Sequence, residues 1–110
     1  MTQLLVITNL PDALSAQTLA THLVQERLAA CVNILAPARS VYRWQGKLET
    51  AEEVPLLIKT VAARYQALET AILAHHPYQL PEILAIPIAQ GLPAYLAWLE
   101  AETATAASAC

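Results

Sequence analysis

A chain of 110 residues, 56% hydrophobic and 14% charged with a formal net charge of −3, is expected to form one domain that buries a core without disulfide or metal staples. The charged fraction lies well below the roughly 25% of an ordinary soluble domain, so part of the surface is expected to lie against other copies of the chain. The acidic balance offers no electrostatic footprint for nucleic acid or an anionic membrane, and no apolar run approaches the roughly 18 to 20 residues that span a bilayer.

Met1 to Ile7 has no basic leader and breaks at Pro11-Asp12, so it reads as a strand and not as an export signal. Cys31 and Cys110 are the only cysteines. A cytoplasmic chain without a structural disulfide is expected.

Leu4 to Thr8 is a branched apolar run suited to a strand buried on both faces. Asp12 or Ser15 can cap a helix in which Leu19, Leu23, Val24 and Leu28 share a face. That helix is expected to reach about Leu28, with His22 on a solvent-facing side. Ala30 to Leu35 reads as a second strand, interrupted near Pro37 and resumed from Ser40 to Trp44. Gln45-Gly46 supplies a reversal, since glycine tolerates positive φ, and the return limb runs to Thr60. Limbs of about 15 residues extend roughly 50 Å, too far for this domain's own helices to cover, so the tip is expected to pack on a neighbouring subunit.

Thr60 can cap a second helix running to about His75. His75-His76-Pro77-Tyr78-Gln79-Leu80-Pro81-Glu82-Ile83 follows, and its prolines forbid further helix. A strand from Glu82 to Ala89 and a last helix with Leu92, Tyr95, Leu96 and Leu99 on one face complete the domain, residues 1–102. Residues 103–110 read as a frayed tail. The order β-α-β-β-α-β plus a helix is the α+β, ferredoxin-like split β-α-β arrangement, with two helices on one face of an antiparallel sheet.

Five blocks carry a resemblance: Arg27 to Cys31, Tyr42 to Lys47, Leu57 to Thr60, His75 to Ile83, and Tyr95 to Leu99. Together they resemble the CutA divalent-cation tolerance family over about residues 4 to 100. The resemblance implies a compact homotrimer similar to that of the PII signalling proteins, a divalent metal such as copper as ligand, and His75 and His76 as its ligands. The family's first-strand cysteine ligand is replaced here by Thr8, and a hydroxyl is a poor substitute for a thiolate toward a soft metal. The resemblance therefore implies an imidazole-based site.

On a helix, adjacent side chains point about 100° apart, so His75 and His76 clasp one ion only if the helix has ended or another subunit contributes. The competing structural role is hydrogen bonding to backbone carbonyls at a helix C-terminus. Cys31 reads as an inert buried thiol. Lys59 closes an apolar strand and needs a partner, for which Glu82, Glu49 and Glu53 are candidates, although a lysine can also snorkel outward. Lys59, Tyr78, Glu82 and Trp44 are candidates to line an intersubunit cleft, the basis of an alternative reading as a PII-like module binding a metabolite or partner protein. With Gly46 and Gly91 the only glycines, phosphate-cradling loops are excluded, and no HExxH or CxxC motif occurs. Acylphosphatase chemistry on the same topology lacks its arginine near Asn9-Leu10-Pro11-Asp12, and RNA binding lacks the sheet aromatics. The function expected is non-catalytic: metal binding in divalent-cation tolerance.

Overall fold

Alternation, more than continuous hydrophobicity, shapes the first strand. The computed structural model describes residues 2–105. In it β1, Gln3–Leu10, buries Leu4, Val6, Thr8 and Leu10 and leaves the intervening side chains half-buried. The expectation of a strand buried on both faces is corrected accordingly: one face meets the helices and the other is only partly covered.

Asp12 caps α1, Ala13–Gln25, accepting from the Ser15 amide at 2.8 Å. That bond to the ionised form holds the Asp12 carboxyl below its ordinary value. The helix ends before Leu28 because Arg27 turns left-handed, with φ of 57°. The Leu28 amide then donates to Leu23 O and the Arg27 amide to Val24 O, the crossed pair of bonds of a Schellman ending. Glycine is usual at that position, and its absence hid the stop from the sequence.

The interrupted limb forms β2, Cys31–Ile34, and β3, Ala38–Trp44; the return limb is one 15-residue strand, β4, Lys47–Val61. Gln45 and Gly46 between them have φ of 50° and 80°, as a two-residue hairpin turn requires. The sheet order is β2-β4-β1-β5, wholly antiparallel, with β3 continuing alongside β4. Pro55 is tolerated in this central strand because its carbonyl faces Leu35, accepting from the Leu35 amide at 3.0 Å. In an antiparallel ladder a residue's N–H and C=O face the same neighbour, so the missing donor falls where β2 and β3 are interrupted.

The second helix, α2, is Ala62–His75, capped by Val61 without a side-chain bond. Thr60 is not its cap. It lies in β4, buried, and its hydroxyl donates to Leu28 O at 2.7 Å. Leu68 and Ile72 of α2 join Leu19 and Leu23 of α1 over Val6, Leu10, Leu56 and Ile58 in one core.

The last strand, β5, is Leu84–Pro87, shorter than the Glu82 to Ala89 expected, and α3 is Pro93–Glu102. Leu99 packs with Val61 and Ala30. Since Val61 alternates with the helix-facing Thr60, α3 sits on the sheet face away from α1 and α2. Its expected apolar face is not all buried, for Leu92 is 71% exposed. Of the stretch expected to fray, Thr103 is buried and its hydroxyl donates to Leu99 O and Glu100 O; residues 106–110 lie outside the described residues.

Candidate functional site

The connector after α2 holds its two histidines in different roles. The backbone turns extended at His76, with φ of −87° and ψ of 132°, as Pro77 demands of the residue before it. His76 is buried, and its Nε2 lies 2.6 Å from Asn9 O while its Nδ1 accepts from the Tyr78 amide at 3.2 Å. These partners fix the tautomer, with the proton on Nε2 donated to the carbonyl. Both nitrogens are engaged, and the ring pins the connector to β1. His76 as arranged here has no lone pair to offer a metal.

His75 is exposed, and its Nδ1 lies 2.9 Å from the carbonyl of Ala71, one turn back on α2. Only a protonated Nδ1 can donate there, so in the neutral ring Nε2 keeps its lone pair. A ring N–H held by a backbone carbonyl with the other nitrogen open is the arrangement that orients metal-bound histidines. The ring packs against that of His22 from α1, with centroids 4.4 Å apart and planes tilted by 37°. His22 is half-buried, in contrast to the solvent-facing position expected. Sequence pattern could not reveal this contact, which joins two helices brought together only by the fold.

Thr8 is fully buried, and its hydroxyl has no hydrogen-bond partner among the described residues. An unpaired buried hydroxyl costs about 1–3 kcal/mol. Thr8→Val, nearly equal in shape, is therefore expected to raise stability by about 1 kcal/mol in urea unfolding; an unchanged or lowered midpoint would mean that the hydroxyl is satisfied in solution. The fit to a metal follows from these side chains. Position 8 supplies no thiolate, and no cluster of three or more His, Cys, Asp or Glu side chains suited to a metal occurs among the described residues. A divalent ion bound here would be held by imidazole nitrogen without a thiolate from position 8.

Within one chain Glu82 and, through His76, Tyr78 gather at Asn9, the far end of β1, while Lys59 and Trp44 have other neighbours. The Lys59 ammonium hydrogen-bonds Asn33 Oδ1 and lies 4.0 Å from Cys31 Sγ, so its partners are not the glutamates expected. Cys31 is only partly buried, and the Tyr95 phenol of α3 is raised by burial and by this thiol. The expectation of a buried thiol is corrected: Cys31 is half-buried in a polar group with Lys59 and Asn33 on the α3 side of the sheet. Glu82 accepts from the Asn9 side-chain amide at 3.1 Å. The Tyr78 phenol is pushed up to about 12 by burial and by the Glu53 carboxylate beside it. Trp44 pairs with Lys47 at the hairpin end, 12 residues along β4 from Lys59, or about 40 Å. Only separate subunits can bring Trp44 and Lys59 to one cleft.

Comparison with known proteins matches this architecture. A family model described as CutA1 divalent ion tolerance protein matches residues 4–102. The divalent-cation tolerance protein CutA of Yersinia pestis (strain Pestoides F) is 49% identical over 98 residues, covering 89% of this chain and 82% of that protein. The divalent cation tolerance protein of Thermus thermophilus has 44% identity and a TM-score of 0.91, covering 93% of this chain and 99% of its own. A third structure, from Archaeoglobus fulgidus and described as a periplasmic divalent cation tolerance protein CutA, has 33% identity and a TM-score of 0.90, covering 93% and 99%. With the sheet order, the helices and nearly the whole sequence in agreement, the chain belongs to the CutA divalent-ion tolerance family.

Proposed function

We propose that this protein is a non-catalytic homotrimer that binds a divalent metal ion, copper foremost, through His75, and that this binding underlies divalent-cation tolerance. The observation that carries the reading is the orientation of His75: Nδ1–H is tied to Ala71 O and Nε2 is left as a ligand. The tolerance named for its relatives supports a divalent cation as the ligand. Its exposed apolar side chains, including Val41, Leu48, Leu84 and Trp98, support self-association. The compartment proposed is the cytoplasm, with the periplasm named for the Archaeoglobus relative as the competing one.

Calorimetric titration of Cu(II) into Cys110→Ser protein tests this, because that background removes the terminal thiol as a competing ligand. One ion per chain is expected, and His75→Ala is expected to abolish the heat. Equal heats in the two proteins would remove His75 from the site. A second reading is favoured by Lys59, whose partners Asn33 and Cys31 carry no carboxylate: an intersubunit cleft with Tyr78, Glu82 and Trp44 that takes an organic anion. Loss of metal binding in His75→Ala with no effect of Lys59→Ala separates the first reading from the second.

A further inference from the structure

We infer that His22 is the second ligand of a two-imidazole platform for a divalent transition metal between α1 and α2, a reading that rests on the role proposed above for His75. Three observations converge. First, the rings lie 4.4 Å apart between centroids although the residues come from different helices. With metal–nitrogen bonds of about 2.0 Å, an ion stands about 3.2 Å from the centroid of each ring that binds it. If each ring turns one nitrogen to a shared ion, the observed separation sets the two bonds about 90° apart, the relation of neighbouring ligands on tetragonal Cu(II) or octahedral Ni(II).

Second, only one ring has its hydrogen bonds committed. The Nδ1–H of His75 is held by Ala71 O, while the His22 ring makes no hydrogen bond among the described residues and can present either nitrogen. Third, both histidines occupy the last turn of their helices, where the aligned carbonyl dipoles favour positive charge. His76 is excluded by its bonds to Asn9 and Tyr78. Two neutral imidazoles with water in the remaining positions suit Cu(II), Ni(II) or Zn(II). They do not suit Cu(I), which calls for thiolate, nor Mg²⁺ or Ca²⁺, which call for oxygen.

The test is a Cu(II) titration of the full chain in the Cys110→Ser background, followed by calorimetry and by electron paramagnetic resonance of the bound ion. His22→Gln is made alongside His75→Ala, and circular dichroism verifies that each variant is folded. At least a tenfold loss of affinity in His22→Gln, with one fewer nitrogen coupled to the copper, is the result expected. Parent-like binding in His22→Gln beside lost binding in His75→Ala would overturn the platform and leave the metal function intact. Parent-like binding in both variants would overturn both.

Discussion

Leu56→Ala is expected to lower stability by about 2–5 kcal/mol, the cost of removing a large side chain from a core that cannot collapse around the gap. Leu56 is fully buried on β4, between Thr8 of β1 and Ile34 of β2, under the leucines of α1 and α2. No neighbouring element can move into the space without disturbing a strand that is paired on both edges. Urea unfolding at one fixed protein concentration measures the loss, since self-association would otherwise contribute to the apparent stability. A cost under about 1 kcal/mol would show that the helices can settle onto a smaller core.

Charging the hairpin is expected to dissociate the proposed trimer. Val41 and Leu48 are 64% and 72% exposed. The pairing of Arg43 with Leu48 and of Val41 with Thr50 puts both on the same face of the ribbon. An apolar pair on a two-stranded ribbon has no cover within the chain, and such ribbons are marginal alone in water. Val41→Glu with Leu48→Glu would place two carboxylates in any contact made there, without touching the core. Light scattering is expected to report a species three times the 11.9 kDa chain for the parent and the single chain for the double variant. An unchanged mass for the variant would show that the hairpin does not hold the assembly together.

The fold was legible where local chemistry and periodicity agreed. Gln45-Gly46 marked the reversal, Pro37 marked the break between β2 and β3, and Asp12 marked the start of α1. Legibility failed where one residue type serves two purposes. Thr60 has the chemistry of a cap, yet its hydroxyl binds Leu28 O in the connection after α1; Arg27 has no conformational signature, yet it takes the left-handed turn that ends α1. The candidate site was half legible. Proline at position 77 announced that the helix would end beside the two histidines, but not that His75 and His76 would take different partners. Nothing local could place His22 beside one of them, because that contact depends on how two helices cross.

The central pairing of β1 with β4 also governs the order in which the chain can assemble. Gln3 meets Val61 and Leu10 meets Val54, so the first strand made waits for residues more than 40 positions later. Closing so long a loop before any contact offsets it makes such pairings slow. The β3–β4 ribbon needs only the Gln45-Gly46 turn and can form early. During synthesis β1 is thus an unpaired apolar strand, with two open edges, until β4 and then β5 arrive on either side. Newly made chains are most open to misassociation in that interval, before the sheet has closed.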